Sequence, residues 1–278
     1  MQLFPIETGY FKLDGGAMFG VVPKRIWNRS NPADENNMCT FAMRSLLIQQ
    51  ENRLILIDTG IGNKQSEKFY SYYHLHGEAS LLDSIKKAGF HPDEITDVVF
   101  THLHFDHVGG SIYRTEKGEL KTTFKNAKYW SNAKHWKWAT EPNAREKASF
   151  LSENILPIET SGQLNFISQG NELGQDINFL MVHGHTESQM IPHIQYKGKT
   201  VVFAADLLPS EGHLPLPYVM SYDTRPLLTL GEKERFLNQA TKEDFVLFMQ
   251  HDSINQCINL IDTEKGPRLQ ESFKLNDF

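Results

Sequence analysis

The sequence is poor in cysteine and has no long apolar run. Its 278 residues include only two cysteines, Cys39 and Cys257, too few for a disulfide framework and without the paired spacing of a thiolate metal site. No apolar run approaches the roughly 20 residues that cross a bilayer, and the amino terminus has neither the basic start nor the apolar core of a secretory signal. We therefore expect a cytoplasmic protein with no membrane partner.

An excess of positive charge is also absent. Lysine and arginine number 28 against 34 acidic residues, for a net charge of −6, so nothing attracts the chain generally to a phosphate backbone and we expect no nucleic-acid partner. With 40% hydrophobic and 22% charged residues, the composition is globular and excludes disordered, collagen-like and coiled-coil proteins. No low-complexity linker divides the chain, which predicts a single domain over residues 1–278.

Apolar stretches rich in β-branched residues interleave with helical patterns, which predicts an α/β protein. Strands are expected at residues 41–48, 53–58, 97–100, 177–182, 200–204 and 244–249. Helices are expected at residues 79–88, 131–140, 143–151 and 232–239, and long loops at residues 14–37 and 207–226. Loops of that length are commonly functional.

The strongest signal is THLHFDHVGG at residues 101–110, directly after a predicted strand. It places His102, His104, Asp106 and His107 within six residues, which random placement would produce with odds of about one in a thousand. If the chain stays extended, His102 and His104 face the same way and can hold one metal, while the following turn supplies Asp106 and His107 for a second. Nitrogen and carboxylate ligands without sulfur suit Zn²⁺, Fe²⁺ or Mn²⁺.

Four ligands do not complete two metal sites, so further ligands are expected at other strand ends. Each of three predicted strands runs into a histidine or aspartate: His185 in VHGHT, Asp206 after TVVFA, and His251 after FVLFM. Loops at the carboxyl ends of strands can converge, which makes these side chains the candidates.

Together these motifs resemble those of the metallo-β-lactamase superfamily of dinuclear hydrolases, over residues 54–252. Within it the chain most resembles the quorum-quenching N-acyl-homoserine lactonases and the methyl-parathion-hydrolase-like enzymes. The motifs that carry this resemblance are HLHFDH at residues 102–107, LIDTG at residues 56–60 and HLPLPYVMSYD at residues 213–223. The resemblance implies a four-layer αββα sandwich of two mixed β-sheets flanked by helices.

The resemblance also implies two divalent metal ions, with zinc expected first and iron or manganese as alternatives. It implies that Asp206 bridges the two ions and that Asp58 orients a ligand histidine. It assigns His102, His104 and His185 to the first ion and Asp106, His107 and His251 to the second. Asp106 is the candidate proton shuttle.

One position departs from the family pattern. The best-known acyl-homoserine lactonases carry a tyrosine three residues after the bridging aspartate, where this chain has Pro209. His213, Tyr218 and Tyr222 are possible substitutes in the substrate pocket, with plain loop packing as the alternative.

Aromatic residues suggest a wall for the substrate pocket. Phe105 and Trp138 are the candidates, although ordinary helix packing also explains a tryptophan at position 138. His183, two residues before a candidate ligand, is expected to be structural.

The expected function is hydrolysis of a small neutral apolar ester or lactone by a hydroxide that two metal ions share. A lactone of the N-acyl-homoserine type is the first choice. A phosphotriesterase and a glyoxalase-II-like thioesterase are the enzymatic alternatives, and a metal-binding or ligand-sensing module is the non-enzymatic one. A homodimer is left open.

Overall fold

A computed structural model describes all residues, 1–278. Its strands, in chain order, are β1 (Gln2–Asp14), β2 (Met38–Gln50), β3 (Arg53–Ile57), β4 (Asp97–Val99), β5 (Ile112–Arg114), β6 (Leu120–Thr122), β7 (Lys128–Ser131), β8 (Leu164–Phe166), β9 (Ile177–Val182), β10 (Gln189–Tyr196), β11 (Lys199–Phe203), β12 (Val246–Phe248), β13 (Cys257–Ile261) and β14 (Arg268–Phe273). Its α-helices are α1 (Gly15–Phe19), α2 (Lys24–Trp27), α3 (Glu67–Ser71), α4 (Leu81–Lys87), α5 (Phe105–Val108), α6 (Ala133–Thr140), α7 (Ser152–Thr160) and α8 (Pro226–Lys242).

The strands form two six-stranded mixed sheets and a small hairpin. The first sheet has the order β1-β2-β3-β4-β7-β8. Its β2–β3 pair is antiparallel, and its β3–β4, β4–β7 and β7–β8 pairs are parallel. The second has the order β14-β13-β12-β11-β10-β9, and only its β11–β12 pair is parallel among otherwise antiparallel neighbours. The predicted α/β class with two mixed sheets is confirmed.

The chain forms two compact units. The first comprises Met1–Gly9 and Met43–Glu172, and the second comprises Tyr10–Ala42 and Leu173–Phe278. In the first unit, apolar faces of α4 and α7 contribute to a buried core with Leu56, Val98 and Tyr129 of the sheet, as expected for helices that cover a parallel sheet. The expectation of a single domain stays a prediction.

All six predicted strands correspond to strands of the structure, but one predicted helix was wrong. Residues 144–149 form turns, and the next helix, α7, begins only at residue 152. Local side-chain bonds compete with a helix here: Asn143 Oδ1 accepts the backbone N–H groups of Arg145 and Glu146, as asparagine does in turns. The carbonyl of Ser149 accepts a hydrogen bond from Phe105 N–H, which turns it away from helical pairing.

The last long helix is longer than predicted. A helix was expected at residues 232–239, whereas α8 begins with Pro226 at its first position, where the missing N–H costs nothing. The expected loop at residues 14–37 contains the short helices α1 and α2. No helix is long and apolar enough to span a membrane.

Two backbone segments approach closely beside the histidine motif. Gly110 N–H donates to the carbonyl of Gly60 over 3.0 Å. A Cβ atom on Gly109 would lie 2.1 Å from the carbonyl oxygen of Ile61, which is far inside contact distance. The glycine at position 109 is therefore required by the close approach of two main chains.

We expect Gly109→Ala to lower the free energy of unfolding by about 1–3 kcal/mol or more, because backbone must move to admit the methyl group. Gly231→Ala is the matched control: Gly231 lies inside α8 and its Cβ would meet only Arg235 at 3.5 Å. That change should raise the free energy of unfolding by about 0.5–1 kcal/mol. Urea denaturation of both variants checks the pair, and equal effects would contradict the steric argument.

Candidate metal centre

The histidine motif lies in the first unit, where β4 ends and α5 begins. His102, His104, Asp106 and His107 are all buried, with at most 8% of their surface exposed. His102 Nε2 lies 3.0 Å from His104 Nδ1, and the rings of His102 and His107 are 3.9 Å apart between centroids. Burying four such groups together has no packing benefit, so the cluster indicates a ligand-binding role.

Asp58, at the end of β3, holds the motif from behind. Its Oδ1 accepts the Thr101 backbone N–H, and its Oδ2 accepts the Thr101 hydroxyl, each over 2.8 Å. The same Oδ2 lies 2.8 Å from His107 Nδ1. Because Nδ1 is engaged by Asp58, His107 keeps Nε2 for a ligand, and that nitrogen lies 3.6 Å from Asp106 Oδ2. A carboxylate in this position can orient the imidazole, and that role for Asp58 stays a prediction.

In the second unit, Asp206 lies between two imidazoles. Its Oδ2 is 3.1 Å from His185 Nε2, and its Oδ1 is 3.0 Å from His251 Nε2. All three side chains are buried, and each follows the end of a strand, β9, β11 or β12. The structure therefore brings together the three strand-end residues that the sequence analysis singled out.

The outer nitrogens of both imidazoles are also engaged. His185 Nδ1 lies 2.8 Å from Asp223 Oδ1, and His251 Nδ1 donates to the carbonyl of Ala42 over 2.7 Å. Burial lowers the pKa of His185, but the charges and hydrogen bonds of Asp206 and Asp223 outweigh burial and raise it to about 10. The surrounding negative charge would equally stabilise a metal cation.

Glu232 of α8 holds the turn that carries His185. Its two carboxylate oxygens accept the backbone N–H groups of His183 and Gly184, over 2.8 and 2.9 Å. His183 Nδ1 lies 3.1 Å from Glu187 Oε1, within hydrogen-bond distance, and the structural role expected for His183 stays a prediction. Neither Asp223 nor Glu232 was found by sequence reasoning, although Asp223 ends the stretch that carried part of the resemblance.

Aromatic rings gather beside Asp106 in the first unit. Phe105 contacts Tyr73 at 4.7 Å and Phe69 at 5.4 Å between ring centroids, and Phe69 and Tyr73 are 5.0 Å apart. Burial, with a smaller contribution from the charge of Asp106, raises the pKa of Tyr73 to about 12. The phenol therefore keeps its proton at neutral pH. Sequence analysis selected Phe105 but gave no signal for the other two rings.

Trp138 is engaged with an acidic residue. Its Nε1 donates to Glu146 Oε2 over 2.7 Å, and Asn143 Nδ2 donates to the same oxygen over 2.6 Å. Glu146 Oε1 lies 3.6 Å from His104 Nε2, too long for a direct hydrogen bond. The indole N–H thus positions a carboxylate near the motif, and a pocket role for Trp138 stays a prediction.

The contacts of His213 lie inside the protein. Its Nε2 donates to the carbonyl of Met18 over 3.0 Å, its Nδ1 lies 2.8 Å from Ser210 Oγ, and its ring stacks on Phe19 at 4.4 Å. Burial lowers its pKa to about 3, so the ring is neutral. Both ring nitrogens are engaged inside the protein, which fits the packing alternative, and a pocket role for His213 stays a prediction.

The two tyrosines of the same loop differ in exposure. Tyr218 meets Phe19 edge to face at 6.4 Å, which is again a packing contact. Tyr222 is 40% exposed, so solvent reaches its ring. The suggested pocket role of both tyrosines stays a prediction.

The sequence model of the metallo-β-lactamase superfamily matches residues 44–251, so the chain belongs to this superfamily and is one of its metal-dependent hydrolases. The fold class that the resemblance implied is thereby confirmed. An N-acyl homoserine lactonase from Bacillus cereus is 23% identical over 248 residues, which cover 83% of this chain and 86% of that relative.

Two solved structures are similar over nearly the whole chain. A probable metal-dependent hydrolase from Staphylococcus aureus has a TM-score of 0.87 at 27% identity, covering 98% of both chains. The dizinc quorum-quenching lactonase AidC, in complex with a product N-hexanoyl-L-homoserine, has a TM-score of 0.80 at 22% identity and covers 98% of this chain and 94% of its own.

We expect Asp58→Asn to weaken metal binding by about 10- to 100-fold, because an amide that can face His107 with its NH₂ group no longer fixes the imidazole. Asp262→Asn, at an exposed position, is the matched control and should bind metal as the wild type does. Titration against a chromophoric chelator measures both. Unchanged affinity in Asp58→Asn would show that His107 needs no orienting carboxylate.

His213 should also make stability depend on pH. Its pKa is about 3 in the folded chain and near 6.5 when unfolded, so the unfolded state takes up the proton first as the pH falls. The free energy of unfolding therefore falls below pH 6.5, by at most about 1.4 kcal/mol per pH unit from this residue. Urea denaturation of chelator-treated protein should show a flatter dependence for His213→Gln, and the wild-type slope for the exposed His76→Gln. Equal slopes in the wild type and both variants would show that His213 is not the source of the pH dependence.

Proposed function

We propose that this hydrolase is a lactonase that opens rings of the N-acyl-homoserine lactone type. The observation that carries the proposal is the aromatic cluster of Phe69, Tyr73 and Phe105 beside Asp106. Such a surface next to a candidate metal ligand suits an apolar acyl chain on a neutral ester. Relatives that are N-acyl homoserine lactonases support the same reading.

We propose that seven buried side chains hold two divalent ions, with Asp206 bridging. His102, His104 and His185 would hold the first ion, and Asp106, His107 and His251 the second; each of these side chains is buried. The donor set fits: it contains imidazole nitrogens and carboxylate oxygens and no thiolate, which suits zinc, iron or manganese. Zinc is our first choice, since one similar structure is a dizinc lactonase.

Bound divalent ions would lower the pKa of water and polarise the carbonyl oxygen under attack. The protein's own groups then manage the proton. We assign to Asp106 the role of taking the proton of the attacking water and returning it to the alkoxide that leaves when the ring opens. Tyr73 keeps its proton because of its raised pKa, so its hydroxyl can donate a hydrogen bond to the substrate near Asp106.

Three finer expectations also belong to the proposal. They are a cytoplasmic location, zinc as the physiological metal, and the possible homodimer. Metal analysis of protein isolated from cells and sedimentation of the purified protein address the last two.

We expect the zinc-loaded protein to open N-acyl homoserine lactones with a kcat/KM that rises with acyl length. Each methylene buried against the aromatic cluster contributes up to about 0.8 kcal/mol, or roughly fourfold. Phe105→Ala should flatten this rise without changing the metal content. The control Phe166→Ala removes a ring that is 40% exposed and should leave the rise intact.

The choice of substrate separates the proposal from its alternatives. Activity that is indifferent to acyl length, or higher on thioesters or phosphotriesters than on every lactone, would overturn the lactonase assignment. Protein that binds no transition metal after careful reconstitution would overturn the metal centre itself.

A further inference from the structure

Lys233 is a buried amine that the proposed chemistry does not use. It lies in α8 and is 1% exposed. Its Nζ donates to the backbone carbonyls of His213, Pro215 and Tyr218, over 2.9, 3.1 and 2.7 Å. An ammonium group has three N–H donors, and each has an acceptor here. Since a buried polar group is costly without partners, this side chain ties α8 to residues 213–218.

The tied segment leads directly to Asp223. Met220 N–H donates to Asp223 Oδ2 over 3.2 Å, while Asp223 Oδ1 lies 2.8 Å from His185 Nδ1. Thr224 N–H then donates to the carbonyl of His185 over 3.1 Å. The loop that Lys233 holds therefore ends on the imidazole of His185.

Glu232, the residue before Lys233, holds the segment that carries His185, the other partner of Asp223. Glu232 accepts hydrogen bonds from His183 and Gly184 N–H, directly before His185. Consecutive residues of one 17-residue helix thus fix the two segments that meet at the bond between His185 and Asp223. The helix backbone sets the spacing between them.

We propose that Lys233 is a positioning residue that acts through Asp223 to orient His185. The inference rests on the proposed function only in taking His185 as a metal ligand. Burial lowers the pKa of Lys233 to about 7, and Asp223 opposes that shift. The charged amine can donate to all three carbonyls and the neutral amine to two of them, so Lys233 holds residues 213–218 in either form.

A double-mutant cycle in the full chain tests the proposal. Lys233→Met removes the donors, Asp223→Asn alters the acceptor, and Lys242→Met, exposed on the same helix, is the control. We expect each of the first two changes to weaken zinc binding by about 10-fold or more. The double variant should be no more than about twofold weaker than Asp223→Asn alone, because both changes act on one contact. The control should match the wild type.

Two outcomes would overturn the proposal. One is an unchanged zinc affinity in Lys233→Met. The other is a double variant in which the two losses of zinc affinity multiply, as they would if Lys233 acted on stability alone. If Lys233→Met does not fold, Lys233→Gln, which retains two N–H donors, replaces it in the cycle and should show a smaller loss that again does not multiply.

The cycle also distinguishes this inference from the proposed function. Protein that binds zinc but opens no lactone defeats the proposed substrate and leaves the cycle readable. If the protein takes up no zinc, amide hydrogen exchange at residues 183–185 replaces affinity as the measurement. Exchange should then be faster in both single variants than in the wild type, and no faster in the double variant than in Asp223→Asn. Any other pattern refutes the proposal.

Discussion

The arrangement depends on one constraint: an imidazole presents one nitrogen to a metal in a fixed tautomer and orientation when its other nitrogen is held. Three of the candidate ligands satisfy it in different ways. His107 is held by Asp58, His185 by Asp223 and His251 by the carbonyl of Ala42. Such partners fix both the tautomer and the ring orientation. Much of the surrounding structure can be understood as the means of placing these three acceptors.

Each acceptor is placed by a different part of the chain. Asp58 comes directly after β3, which pairs in parallel with β4, the strand that leads into the histidine motif. The first sheet therefore sets the distance between Asp58 and the histidine motif directly. Asp223 has no strand to place it and sits in a long irregular loop, where the buried polar side chains of α8 provide the constraint instead. Ala42 pairs with His251 in both directions, because its N–H also donates to the carbonyl of His251.

How much the sequence predicted follows from how local each feature is. His102, His104, Asp106 and His107 are neighbours in the chain, so their pattern could be read without a structure. Three further candidate ligands were found because each follows an apolar strand. Partners such as Asp223, which lies 38 positions from His185, leave no periodic signal. Lys233 belongs to a charged helical stretch that resembles a solvent-exposed surface, and only the tertiary structure shows its side chain to be buried. The wrong helix at residues 143–151 has a similar cause, since Asn143 and Glu146 bond to nearby groups that helical periodicity does not describe.

The main-chain acceptor of His251 has an evolutionary consequence. A carboxylate that contacts a candidate ligand can be lost by a single codon change, as at Asp58 or Asp223. The carbonyl of Ala42 is present whichever amino acid is encoded, and only a proline would remove the N–H that pairs with His251. Substitution of Ala42 is therefore limited by the space around its side chain, which is fully buried. The orientation of His251 is the best protected of the three against mutation.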